Sequence, residues 1–86
     1  MAHKKGQYKK KILSEMFQEE PRIEMLGNRE IIIDGCKGVV EYDENIIKLS
    51  LGETVLSLLG DGLIIKSFDN DIAVICGQIS EISFVS

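Results

Sequence analysis

TVLSLLGDGLIIKS, residues Thr54 to Ser67, decides how the rest of the chain is read. Short aliphatic runs flank Gly60-Asp61-Gly62. Glycine takes positive φ at little cost, so the pattern predicts strands folded back on each other at a hairpin loop. Nothing in the stretch carries chemistry. Its weight lies in the pattern, which recurs on both sides.

Everything after Pro21 consists of short apolar runs closed by glycine, asparagine or aspartate, with turn signals at residues 27, 35, 43, 52, 61, 70 and 77. Arg22 to Leu26 alternates, with Ile23 and Met25 on one face, and Gly27-Asn28 predicts a primed hairpin turn. Arg29 to Asp34 is apolar on both faces through Ile31, Ile32 and Ile33, which predicts a central strand covered twice. Val39 to Tyr42 ends at the polar trio Asp43-Glu44-Asn45. Ile46 to Leu51 and Thr54 to Leu59 follow around Gly52-Glu53. Leu63 to Phe68, Ile72 to Cys76 and Gln78 to Val85 complete the set, separated by Asp69-Asn70-Asp71 and by Gly77. Such regular spacing predicts an all-β fold: a small antiparallel sandwich or roll of seven to eight short strands, with neighbours in sequence adjacent in space. A short β-solenoid is the alternative, because glycine-punctuated rungs suit one as well.

Upstream the period changes. From Gln7 to Glu20, Tyr8, Ile12, Leu13, Met16 and Phe17 recur at helical steps and form one apolar stripe. Pro21 ends this segment, because the residue before proline is pushed out of the α region. Lysines precede the stripe and Glu15, Glu19 and Glu20 follow it, which opposes the helix dipole, so the helix needs a surface to pack on. That surface is the chain's own sheet, a lipid interface with lysines on the headgroups, or a partner's groove. The expected organisation is thus a basic arm and amphipathic helix over residues 1–20 and a β domain over 21–86.

The composition restricts function. A chain of 86 residues makes one domain. Its net charge of −4 is uneven: Lys4, Lys5, Lys9, Lys10 and Lys11 crowd the start, while from Ile12 onward five bases stand against fourteen acids. An acidic body argues against nucleic acid, since phosphate contacts need a basic surface. The arm suits an anionic membrane surface, or simply keeps the chain soluble. No apolar run reaches the roughly 20 residues that span a bilayer, so the chain is expected not to cross one. Without a signal peptide, Cys36 and Cys76 are expected to be free residues of the core rather than a disulfide.

The only histidine is His3, so no Ser/His/Asp or Cys/His set and no zinc site is expected in the body. Asp69-Asn70-Asp71 lacks the glycine and the distal glutamate of a calcium loop and reads as a turn. Gly60-Asp61-Gly62 lacks the lysine and serine of a phosphate loop. Glu41, Asp43 and Glu44 read as solvated turn acids.

As an ordered set, PRIEMLGN from Pro21 to Asn28, Ile33 to Gly38 with Val39 to Tyr42, GDGLII from Gly60 to Ile65, and Ile75 to Ile79 with Ile82 and Phe84 resemble the YabP/YqfC family of sporulation proteins. The likeness is nearest to the YqfC branch and covers about residues 8–86. It implies a non-enzymatic protein made in the mother cell during sporulation, acting in formation of the spore envelope, cortex or coat. It also implies a membrane partner of the YqfD type and a location in the cytoplasm or peripherally at the forespore outer membrane. The family carries no catalytic residues, so none are assigned, and no cofactor or metal is expected. The residues expected to meet the partner or membrane are Ile12, Leu13, Met16 and Phe17 with Lys9, Lys10 and Lys11. Self-association through sheet edges is compatible with this. A small-ligand binder or an enzyme with an unrecognised site is the competing expectation, and it requires polar groups converging in an apolar pocket.

Overall fold

In a computed structural model of the chain, residues 20–85 are described. They form six strands and no helix: β1 (Arg22–Leu26), β2 (Glu30–Asp34), β3 (Gly38–Tyr42), β4 (Ile46–Ser50), β5 (Val55–Asp69) and β6 (Ile72–Val85). All pairings are antiparallel, in a single open sheet of order β1-β2-β6-β5-β4-β3. The all-β expectation holds, and no solenoid rung is present among the described residues. The strand count and one loop do not hold. Gly60-Asp61-Gly62 is not a hairpin turn but lies inside β5, and Gly77 lies inside β6, so two long strands carry four of the expected short ones.

The reason is visible where the two long strands cross. Their register shifts between Leu59 and Gly60 and again between Asp61 and Ile64, a bulged region that bends the ribbon without ending the pairing. A Cβ on Gly60 would collide with the carbonyl oxygen of Gln78. On Gly77, at φ +138°, it would stand 2.7 Å from the Gly62 oxygen and 2.8 Å from Leu63 Cα. These glycines serve close approach of two backbones at a bend. The true reversal is at Asn70 (φ 53°) and Asp71 (φ 63°), whose paired left-handed conformation makes the primed hairpin turn that matches strand twist. The turn expected at Asp69-Asn70-Asp71 is therefore present.

The bend brings the two ends of the long ribbon together. The Asp71 carbonyl accepts from the N–H groups of Gly35 and Cys36, both at 2.9 Å, and Lys37 N–H donates to the Ser50 carbonyl at 2.7 Å. Residues 35–37 thus link the β5–β6 turn to the end of β4, which is possible only if the sheet is folded back on itself. Each half then has four strand segments. One half holds β1, β2, the first part of β6 and the last part of β5; the other holds β3, β4, the first part of β5 and the last part of β6.

The halves correspond in detail. Gly77 N–H donates to Arg29 O (3.0 Å) and Ile79 N–H to Asn28 O (2.8 Å). In the other half Gly60 N–H donates to Asn45 O (3.0 Å) and Leu63 N–H to Glu44 O (2.8 Å). Each short hairpin therefore anchors its turn in the bend of the long one. Alternation decides what is buried: Ile31 and Ile33 in β2, Ile47 and Leu49 in β4, Leu56 and Leu58 in β5, and Ala73 and Ile75 in β6 are fully buried and share one cluster with Leu63 and Ile79. Burial of this kind contributes about 1.5–3 kcal/mol per large side chain, which makes the cluster the dominant stabilising term. β2 is interior to the sheet as expected, but its second face is only partly covered, with Ile32 half-buried.

Candidate functional site

The seven residues that the sequence nominates for partner or membrane contact, Ile12, Leu13, Met16, Phe17, Lys9, Lys10 and Lys11, lie outside the described residues. Within the described body, chemistry is confined to the bend, the strand edges and the exposed apolar side chains.

At the bend two open depressions, of about 420 and 480 Å³, share Asp61 and Gln78. Arg29 and Gly77 line one, and Asn45, Gly60 and Ser80 the other. Asn45 Nδ2 donates to the Gly60 carbonyl at 3.1 Å and to Asp61 Oδ1 at 3.2 Å, so the one carboxylate present is already engaged in holding the bulge. Neither depression pairs a nucleophile with a base, and among the described residues no three metal-capable side chains converge. The turn acids are likewise occupied locally. Glu41 pairs with Lys48 at 3.7 Å and Asp43 Oδ1 accepts from the backbone N–H of Asn45 at 3.4 Å.

Both cysteines are free, as expected. Cys36 is fully buried in the core cluster, while Cys76 on β6 is half-buried. Burial pushes the Cys36 thiol above its ordinary pKa, and its Sγ lies 3.6 Å from the Gly38 carbonyl. A thiol held neutral in this way is a poor nucleophile.

The strand edges differ from one another in a way the sequence did not announce. Among the described strands β1 and β3 end the sheet, and each is paired along one side, with its hairpin partner. Folding the sheet brings β3 opposite the last part of β5, and there the Tyr42 hydroxyl accepts from the backbone N–H of Ile65 at 3.0 Å. That bond closes one seam between the halves. By the correspondence of the halves, β1 and the last part of β6 form the other seam, with Met25 at the place of Tyr42 and Ile82 at the place of Ile65. Methionine has no hydroxyl to offer, and among the described residues no such bond spans this second seam. Around it Ile23, Met25, Phe84 and Val85 are exposed. Tyr42 and Met25 escaped notice in the sequence because each reads only as an alternating apolar residue. The signal that finds them is the equivalence of the β1–β2 and β3–β4 hairpins, which single-strand reading does not compare.

Among the described residues, fold and surface define a small β-sheet domain whose distinctive features are unpaired strand edges and exposed apolar side chains. The chain belongs to the YabP family, a sporulation-associated family whose sequence model matches residues 18–86. No curated protein and no solved structure matches it. Among the described residues no helix is long and apolar enough to cross a membrane.

Proposed function

We infer that the protein is a non-enzymatic docking module of spore envelope formation, belonging to the YqfC branch of its family and acting in the mother cell with a membrane partner of the YqfD type. The observation that carries this reading is the contrast between a densely filled aliphatic core and a perimeter of free strand edges with exposed Ile23, Met25, Phe84 and Val85. Free edges accept a further strand through backbone hydrogen bonds, and exposed apolar side chains beside them supply the affinity. In this reading residues 7–19 form an amphipathic helix whose stripe of Ile12, Leu13, Met16 and Phe17 meets the partner or the lipid surface, with Lys9, Lys10 and Lys11 on anionic headgroups. The body is a rolled sheet that presents this helix at the forespore outer membrane, in forming cortex or coat.

Co-expression with the membrane partner tests it. The wild-type chain is expected to co-purify with that partner or to move to the membrane fraction, and the Ile12→Asp/Phe17→Asp variant to lose this while its β-sheet circular dichroism is unchanged. A wild-type chain that does neither would sink the reading.

A further inference from the structure

The outer faces of the two halves differ in one row. Residues paired across strands share a face, and successive residues alternate between faces. On the side away from the core, the central row of the β3–β4 half therefore reads Glu41, Lys48, Ser57 and Ser83. That row suits water, with Lys48 paired to Glu41 at 3.7 Å. The equivalent row of the β1–β2 half reads Glu24, Ile32, Val74 and Ser67, so two aliphatics stand where the other half has lysine and serine. The flanking rows carry apolar residues in both halves. In the β3–β4 half the polar row keeps them apart. In the β1–β2 half Ile32 and Val74 join Leu26, Ile64 and Cys76 on one side to Ile72 on the other. Leu26 is 56% and Ile64 55% exposed. Single surface aliphatics need no explanation, but a contiguous band of them marks a place where something docks. Glu24, Glu30, Asp34 and Asp69 border the band, and among the paired residues of this face Arg22 is the one base.

We propose that this band is the seat of residues 7–19 of the same chain, which lie on it until an anionic membrane surface or the partner takes them. The chain arrives at the face by its own connectivity. A Cβ on Gly35 would stand 3.0 Å from Pro21 Cα, so Pro21 lies over the residue that follows β2, at the Ile72 end of the band. As a helix, residues 7–19 span about 20 Å, whereas the band from Ile72 to Cys76 runs about 13 Å along β6, so the segment is long enough to cover it. Charge selects the same occupant. Lys9, Lys10 and Lys11 fall at the end of the segment farthest from Pro21, and Glu30 stands at that end of the face with Glu24 beside it. A second copy would instead bring a like acidic rim against this one, which is repulsive. The stripe of Ile12, Leu13, Met16 and Phe17 needs an apolar surface, because the order of lysines and glutamates around it opposes the helix dipole. Release to a membrane or partner rests on the docking role proposed above; the seat itself does not.

Cys76 lies within the band and is a native probe of the seat, with Cys36 in the core as its internal control. The test is the rate at which iodoacetamide alkylates Cys76 in the purified full-length chain, with no membrane or partner present. Ile12→Asp/Phe17→Asp is expected to raise that rate on the order of tenfold, with circular dichroism unchanged and Cys36 unreacted. Ile32→Ser/Val74→Ser removes the centre of the band and is expected to raise it similarly. Combining the two pairs is expected to add nothing further, because either alone already empties the seat. The wild-type rate is expected to be the same on dilution, as for a contact within one chain. A Cys76 rate indifferent to Ile12→Asp/Phe17→Asp would overturn the proposal. So would effects that multiply in the combined variant, which place the stripe elsewhere, or a wild-type rate that rises on dilution, which makes a second copy the occupant. Alkylation reads the seat and co-purification reads the docking role, so the failure of one is distinct from the failure of the other.

Discussion

The half built on β1 and β2 and the half built on β3 and β4 use the same plan with different endings. In both, a short hairpin lays alternate aliphatic residues into the core and ties its turn to a glycine in the bend of the long hairpin. Ile31 and Ile33 in one half do what Ile47 and Leu49 do in the other. At the seams the likeness stops. Tyr42 spans its seam to Ile65, whereas Met25 leaves its own open. The difference shows that the interior of such a domain is fixed by aliphatic alternation, while a single hydroxyl decides which margin is bonded to the strand facing it.

The bend is where the comparison is most easily broken. Gly77→Ala forces a side chain into a left-handed backbone and against the Gly62 carbonyl, and Gly60→Ala drives one into the Gln78 carbonyl. Neither neighbour is a flexible side-chain end, so each change is expected to cost about 4 kcal/mol or more, enough to unfold a domain of this size in urea titrations. A well-folded Gly77→Ala protein would mean that the long strands do not cross as described. Next come the equivalent core positions Leu58 and Ile75, both fully buried. Truncating either to alanine is expected to cost about 2–5 kcal/mol, and similar losses in the two would sharpen the equivalence of the halves. Markedly different midpoint shifts would blunt it.

The seams give a smaller, paired effect. Tyr42→Phe leaves the Ile65 N–H without its partner and is expected to lose about 1 kcal/mol in urea unfolding. The reverse experiment, Met25→Tyr, supplies a hydroxyl at the open seam. It is expected to hold or raise stability in the same urea titration, because the Ile82 N–H then gains a partner. Smaller still is the thiol. Cys36 has a raised pKa in the folded protein, so the unfolded chain releases its proton first as pH rises. Stability is expected to be level below the ordinary thiol pKa and to decline above it, with alkylation of Cys36 appearing only on unfolding. Last are the exposed pairs Lys37–Asp71 and Lys48–Glu41, at 3.4 and 3.7 Å. Removing either lysine is expected to shift stability by less than about 1 kcal/mol.

Much of this molecule is legible from residue order alone. The alternation in Ile46–Ser50 names the buried face correctly, because a strand's side chains have a period of two and one face must leave water, whereas in Glu30–Asp34 the apolar Ile32 hid that only the Ile31 and Ile33 face is fully covered. Asn70 and Asp71 mark the true reversal for a local reason, since asparagine and aspartate tolerate the left-handed region better than most residues. The margins are less legible. Nothing near Tyr42 in sequence signals that its hydroxyl meets Ile65, because that meeting exists only after the sheet folds over.

Gly60-Asp61-Gly62 marks the division most clearly. By itself the sequence determined an all-β body with an aliphatic interior, its inward-facing residues, its acidic surface and its family, since these follow from alternation and composition. Only the tertiary structure decided whether those glycines end a strand or bend one. A glycine permits both conformations locally, and the choice falls to distant hydrogen bonds, from Gly60 to Asn45 and from Gly77 to Arg29, that hold the long strands together through the bend.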